Sequence, residues 1–328
     1  MADRLGFPFH VLNYRRPFEA VRDDFVAEYA AGRTPNPCIR CNAWLKFGRL
    51  IEFARSLGID RVATGHYARR VAPGRPFDSI GSASLASPSA PRASGDRQGR
   101  FAVARAADPA KDQSYVLFPL TQEALAAACF PLGGLAKGEV RALAREAGLG
   151  VEDKPDSQGI CFIPDDDPGR FLRERLGDRM RPGEFRTEDG AVVGRHGGHA
   201  LYTIGQRKGL GVALGRAAYV TRIDPATNTV WLGDDDDLWE RTFAADGVNW
   251  MGWAPPPPGE ARRCAVQIRA HHPAAPAEIT VIDATRVRVV FDAPERAITP
   301  GQAAVFYDGD RIAGGGWIMT DDQYPMSK

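Results

Sequence analysis

The 328 residues carry 42 basic and 41 acidic side chains, a net charge of +1, and 44% apolar residues, which is the profile of a folded globular protein with room for two or three domains and excludes a disordered chain. No apolar run approaches the eighteen or so residues of a membrane span, and Met1-Ala2-Asp3-Arg4 lacks the charged-then-apolar order of a signal peptide, so a cytoplasmic protein is expected. Five cysteines, an odd number, argue against a disulfide framework and leave thiol chemistry or metal ligation open, while the charge balance neither supports nor excludes an RNA partner.

In chain order, the first informative segment is Thr34-Pro35-Asn36-Pro37-Cys38-Ile39-Arg40-Cys41-Asn42. Two prolines hold the backbone extended and deliver a C-x-x-C to the start of a helix, predicted from Trp44, Phe47, Leu50, Ile51, Ala54 and Leu57 at helical spacing and stopped by Gly58. Strand-like Arg61 to Val71 follows. Residues 72–100, rich in Ser, Pro, Gly, Ala and Arg, read as a long flexible insertion in a hairpin-like connection to a strand at Phe101 to Ala104. Gly138 to Ala147 is a second amphipathic helix, with Val140, Leu143, Ala144 and Ala147 on one side and Gly148 as its terminator. This alternation predicts a parallel α/β domain over roughly residues 1–160. A Gly- and Arg-rich stretch, about Asp165 to Gly215, reads as a connecting module. Short alternating runs then predict a small antiparallel barrel: Tyr219 to Ile223, Val230 to Leu232, Ile279 to Ile282, Val287 to Phe291 and Ala303 to Tyr307, with turns at Asp292-Ala293-Pro294 and Asp308-Gly309-Asp310.

A thiol at a helix N-terminus sits near unpaired N–H groups, so ionisation of the C-x-x-C is expected to be favoured: at a pKa of about 8.5 only ~3% is thiolate at pH 7, against roughly 75% at about 6.5. By itself a C-x-x-C is equally a half zinc site or a redox pair, but a second C-x-x-C for a closed zinc site does not occur. Asp156-Ser157-Gln158-Gly159-Ile160-Cys161-Phe162 presents a third thiol in a Gly-containing loop, where backbone N–H groups can approach a sulfur anion. Cys129, in an apolar run, and Cys264, in a predicted strand, read as packing residues. His66 and the adjacent His271-His272 read as structural or surface residues, and the aspartate runs at 165–167 and 234–237 as solvated turns. Arg207 and Lys208, among the glycines of Gly205-Gln206-Arg207-Lys208-Gly209-Leu210-Gly211, suit contact with an RNA backbone.

These segments, together with Thr64-Gly65-His66-Tyr67-Ala68-Arg69, Lys111-Asp112-Gln113-Ser114-Tyr115 and Lys154-Pro155 leading into the Cys161 loop, resemble the tRNA-specific 2-thiouridylase family. The resemblance implies an ATP-pyrophosphatase (PP-loop type) α/β domain at 1–164, a central tRNA-binding module at 165–216 and a β-barrel at 217–328. It implies that Cys161 carries sulfur as a persulfide and that Cys41 is its partner, releasing sulfide or ending as a disulfide with Cys161. Asn36, Pro37 and Cys38 would meet the target base, Gly65 the nucleotide, and Lys111, Asp112 and Gln113 the tRNA, with Arg269 a further tRNA contact in the barrel. ATP with Mg2+ would adenylate the carbonyl oxygen of the wobble uridine before sulfur displaces AMP, and a persulfide donor protein would load the enzyme, which is expected to be a monomer. No resident metal is expected; the alternative is an iron–sulfur cluster on Cys38, Cys41 and Cys161.

The sequence is set against the family pattern at three places, one of them Cys38, which in some members is Asp, a plausible acid/base, and in others Cys. The S-G-G-x-D-S phosphate loop does not occur in it, so the α/β domain is expected to be incomplete at its N-terminus, either from a start placed too late or in a tRNA-binding or sulfur-relay protein without ATP chemistry. Where the family tends to have Arg-Tyr in the barrel, this chain has Arg269-Ala270.

Overall fold

The computed structural model describes residues 2–72, 99–151 and 159–320. Nearly all of the expected insertion at 72–100, and the Lys154 to Gln158 part of the third thiol motif, lie outside the described residues.

Helix α1 (Arg15–Ala30) buries Val21, Phe25 and Val26. Helix α2 (Pro37–Cys41) runs without a break into a π-helical stretch, Asn42–Arg49, and then helix α3 (Leu50–Ser56). The wider π turn explains a difference from the simple helical pattern. Leu45 is buried and Trp44 is 39% exposed, because each residue after Cys41 is set back in rotation relative to an α-helix. The segment expected as one strand at 61–71 is two: β1 (Val62–Ala63) and β2 (Arg69–Val71), which belong to different sheets. Their separation is set by partners. β2 pairs antiparallel with β3 (Ala102–Ala104), as the hairpin reading expected, whereas β1 pairs in parallel with β4 (Ala128–Cys129), after helix α4 (Gln122–Ala127). The β1–β4 pair is the parallel sheet of the described α/β part.

Helix α5 (Lys137–Glu146) ends at Gly148, which takes φ 59°, as its pattern predicts, but none of its residues is buried and Leu143 is 51% exposed. Helix α6 (Pro168–Leu176) starts the central module, capped by Asp167, whose carboxylate accepts the Arg170 N–H at 2.9 Å.

The central sheet comprises β5 (Gly183–Thr187), β6 (Val192–His196), β7 (Tyr219–Asp224) and β8 (Thr229–Gly233), in the order β6-β5-β8-β7. The pair β7 and β8, expected in the barrel from residue 217 on, pairs through β8 with β5 instead. Six strands close the barrel: β9 (Trp239–Trp250), β10 (Ala261–Gln267), β11 (Ala275–Val281), β12 (Val287–Arg296), β13 (Ala303–Asp308) and β14 (Arg311–Ile318). Closure removes sheet edges and encloses Val266, Ile279, Val289, Phe291 and Phe306, each at most 1% exposed and each contributing about 1.5–3 kcal/mol by burial. Asp308-Gly309-Asp310 is the expected hairpin tip, with Gly309 at φ 58°. Asp292-Ala293-Pro294 is not the expected turn: it lies within β12, as an irregularity between Val290 and Glu295 that leaves Pro294 outside the regular ladder.

β14 also pairs with β3, so the β2–β3 hairpin extends the barrel sheet and joins it to the α/β part.

Candidate active site around three thiols

The barrel holds the approach to the C-x-x-C. The Thr34 N–H donates to the Pro300 carbonyl at 2.8 Å, and the Gln302 side-chain amide donates to the Thr34 carbonyl at 2.9 Å. Gly301 between them has φ +87° and lies so close that a Cβ would meet Arg33 Cβ at 2.8 Å and Thr34 N at 2.9 Å. Beyond this anchor Asn36 caps α2, its Oδ1 accepting the Cys38 N–H at 3.1 Å, and Pro37 occupies the first turn, where no N–H is missed. Arg40 fixes the helix from two sides. It pairs with Asp24 of α1 at 3.3 Å, and its guanidinium lies 4.1 Å over Trp317 of β14 and 5.4 Å from Trp44. Next to Cys41, the Asn42 side chain donates to the Val116 carbonyl at 3.1 Å.

Cys161 arrives from the other direction. Gly159 at φ +74° leads into a tight turn in which the Ile163 N–H donates to the Ile160 carbonyl at 2.8 Å. Phe162 then packs edge-on to Phe18 and Phe25 of α1, at 5.8 and 5.4 Å between ring centres, and Ile163 is buried. The neighbours of Cys161 are thus fastened to α1 while its own thiol stays exposed. Cys38, Cys41 and Cys161 are free thiols near enough that charge on Cys161 is felt at both of the others. Two motifs 120 positions apart in the chain thus lie within reach of one another's charge.

The electrostatics correct one expectation. Desolvation by the surrounding protein raises the pKa of Cys38, with a further rise from Cys161, and raises that of Cys41, while Lys46 pulls both down. The helix terminus does not prevail because the Cys38 N–H is already spent on Asn36 and enough protein surrounds Cys38 and Cys41 to penalise their charged forms, although solvent still reaches Cys38.

Lys46 is not among the site residues expected from the sequence. In an α-helix a residue five positions on lies about 140° round the axis, but the π turn closes i→i+5 and returns Lys46 to the side of Cys41. Both line an open cleft of about 450 Å³ with Tyr14, Arg15, Phe18, Leu45 and Leu50. The i,i+5 spacing is the signal that would have found it.

The remaining site residues divide. Gly65 follows β1, and a Cβ there would meet only Leu132 at 3.8 Å, so a nucleotide can approach its backbone. Beside it, His66 Nδ1 bonds Thr64 Oγ1 at 2.8 Å, and the ring packs against Phe47 and Phe130. Burial, reinforced by Lys46, lowers the His66 pKa to about 4, so the imidazole is neutral at pH 7. The unfolded chain, with its histidine near 6.5, takes up this proton first. Stability from His66 is therefore complete above pH 6.5 and falls by about 3 kcal/mol as the pH drops to 4. Urea melts of His66→Gln are expected to lack that portion of the acid destabilisation seen in the native chain.

Asp112 accepts the Ala106 and Ser114 N–H groups at 2.9 and 3.1 Å and pairs with Arg105 at 3.2 Å. Gln113 clasps Tyr67 with two bonds, its Oε1 accepting the Tyr67 N–H at 3.0 Å and its N–H donating to the Tyr67 carbonyl at 2.8 Å. Both side chains brace the fold beside the half-buried Lys111. Arg207 and Lys208 are exposed on a loop of the central module. Arg269 is half-buried beyond β10, its pKa lowered by burial and then by Arg296, the same residue that Gly205 approaches. These basic residues border the barrel–module junction and are not lining residues of the thiol cleft.

Among the described residues no group of three or more His, Cys, Asp or Glu is placed to hold a metal ion, the three thiols included. Nor is any described helix long and apolar enough to cross a membrane.

Family models match the chain in three blocks: the tRNA methyl transferase HUP domain over residues 1–165, the tRNA methyl transferase PRC-barrel domain over 169–234, and the aminomethyltransferase beta-barrel domain over 240–318. The tRNA-specific 2-thiouridylase MnmA of Geotalea uraniireducens is 44% identical over 319 residues, 97% of this chain and 78% of that protein. The proteins of the same name from Carboxydothermus hydrogenoformans and Symbiobacterium thermophilum are 46% and 47% identical, again across 97% of this chain and across 81% and 76% of their own lengths.

Proposed function

This chain belongs to the tRNA-specific 2-thiouridylase family, and from that premise we propose that it is a tRNA-uridine 2-sulfurtransferase acting on C2 of the wobble uridine. The observation that supports the reading is that Cys41, partly exposed, and Cys161, exposed, come from separate motifs yet lie close enough to feel each other's charge. A sulfurtransferase of this kind needs two thiols, one to carry sulfur and one to resolve the carrier. A donor protein leaves a persulfide on Cys161. Its outer sulfur attacks C2 of the activated uridine, forming the C–S bond as AMP leaves. The Cys41 thiolate then attacks Cys161 Sγ, the S–S bond breaks toward the nucleoside, and 2-thiouridine leaves with a Cys41–Cys161 disulfide behind it. A cellular dithiol returns both cysteines to the reduced state. The raised thiol pKa of Cys41 keeps it protonated until Lys46 and the local geometry favour attack, which limits premature loss of the persulfide.

ATP, which a HUP-type domain implies, supplies the activation that turns the uridine oxygen into a leaving group. The open backbone at Gly65 fits a nucleotide, and Asn36, Pro37 and Cys38, at the head of α2, suit the target base. Exposed Arg207 and Lys208, with Lys111, Asp112, Gln113 and Arg269, make up the proposed tRNA-contacting set, in which Asp112 and Gln113 act by bracing.

The test is to incubate the protein with tRNA, ATP with Mg2+ and a protein persulfide donor, and to measure 2-thiouridine in digested tRNA by mass spectrometry. Product that requires both ATP and donor supports the reading. Tight tRNA binding with no product under those conditions replaces it with a tRNA-binding or sulfur-relay protein. Anaerobic absorption spectra separate the cluster alternative, because thiolation by cluster-free protein removes it.

A further inference from the structure

The cleft beside Cys41 has features that sulfur transfer alone does not use. Its walls are carbon, from Phe18, Leu45 and Leu50, and two cations reach it, Arg15 and Lys46. Both side chains belong to exposed residues. Arg15 opens the 16-residue helix α1, whose first turn holds no acidic residue to offset the two cations. The Tyr14 hydroxyl, on another lining residue, is shielded from solvent and has no hydrogen-bond partner. A buried hydroxyl without a partner is destabilising, and a ligand group in the cleft that bonds it would recover that cost. Glu52, whose charge reaches Tyr14, is already paired with Arg49 at 3.2 Å, and Glu19 of the same helix is paired with Arg22 and with Arg175 at 3.1 Å.

An apolar wall with cations and a hydroxyl donor matches one nucleotide unit, a flat base joined to a single phosphate, better than a bare anion or a neutral hydrocarbon. A volume of about 450 Å³ is in the range of small-ligand sites. We propose that this cleft is a subsite for a ribonucleotide of the substrate RNA next to the reacting one, its base against Phe18, Leu45 and Leu50 and its phosphate at Arg15 and Lys46. The inference rests on the proposed tRNA function. RNA is favoured over a free nucleotide because the cleft adjoins Cys41, where an unpaired loop must thread for its base to reach Cys161. The flanking residue then acts as a grip that sets the depth of insertion.

The experiment measures binding of a fluorescent anticodon stem–loop to the full chain over a series of salt concentrations. Arg15→Gln and Lys46→Gln are each expected to lower the slope of log affinity against log salt by about 0.7, the amount for one lost single-strand phosphate contact. Arg16→Gln, one exposed position away and outside the cleft, is expected to leave the slope unchanged. Unaltered slopes in both cleft variants, in a chain that binds the RNA, overturn the subsite alone. Loss of AMP binding with an unaltered RNA slope overturns it too, and assigns the cleft to the free nucleotide. If the native chain binds no stem–loop, the tRNA function fails and the subsite fails with it.

Discussion

Cys161→Ser is expected to abolish thiolation, by a factor of at least about 10³, while tRNA affinity stays within about twofold of the native value. Serine preserves the shape of the turn from Ile160 to Ile163 and the Phe162 anchor but cannot hold a persulfide. Cys41→Ser should lose steady-state activity as completely, for a different reason that intact-mass measurement can separate. After treatment with the donor, Cys41→Ser retains one extra sulfur on Cys161, whereas Cys161→Ser acquires none there. Activity surviving in either variant removes the role assigned to that residue. Cys129→Ser and Cys264→Ser are the controls. Burial pushes the Cys264 thiol up to about 12, which makes it chemically inert at neutral pH, and its replacement should cost stability rather than chemistry.

The second large effect is predicted far from any sulfur. Gly301→Ala places a methyl group within 2.8 Å of Arg33 Cβ and 2.9 Å of the Thr34 nitrogen, at a φ of +87° that an alanine adopts only under strain. Ile298 seats this loop in the barrel core and the Gly301 N–H is held by the Ile318 carbonyl at 3.0 Å, so the clash should be relieved on the other side, by pushing Arg33 and Thr34 away and breaking the bonds to Pro300 and Gln302. Since Asn36 and Cys38 follow within four residues, the C-x-x-C moves with them. A displacement of about 1 Å at reacting groups can cost about 10²-fold in rate. The expected result is a thiolation rate down by about that factor, with a melting temperature lowered by only a few degrees, for about 1–3 kcal/mol of strain. A variant that melts late and works at the native rate would show that the barrel does not position the thiols.

The legible parts of this molecule were those where local chemistry and tertiary structure agree. Two prolines before Cys38 announce a helix start, Gly148 and Gly309 announce ends, and both thiol motifs could be read as a loop or a helix start. What escaped was set by partners remote in sequence. Arg61 to Val71 looks like one strand because nothing local tells Val62 to pair with Ala128 while Val71 pairs with Ala102. Asp292-Ala293-Pro294 carries every turn signal, yet the ladders with β9 and β11 carry the chain through it at the expense of an irregularity. The runs at 219–223 and 230–232 have the same alternation as barrel strands, and only their pairing with β5 assigns them to the central sheet. Lys46 escaped because hydrophobic spacing assumes 3.6 residues per turn, and the stretch after Cys41 does not obey it. Asp112 and Gln113, which the family resemblance implies as tRNA contacts, use their side-chain oxygens to satisfy backbone N–H groups.

Three successive glycines in β14 carry the last consequence. At Gly314 a Cβ would meet the Asn249 carbonyl oxygen at 2.8 Å, at Gly315 the Phe118 ring at 2.8 Å, and at Gly316 the Asp246 carbonyl oxygen at 2.8 Å. The same strand closes the barrel and, through Arg311 and Ala104, receives the β2–β3 hairpin of the α/β part. A seam this thin welds what look like two modules into a single machine part. Cutting the gene between them should yield fragments that stick or precipitate rather than work, and a barrel grafted from another protein would have to bring its own bare strand to seat against Phe118.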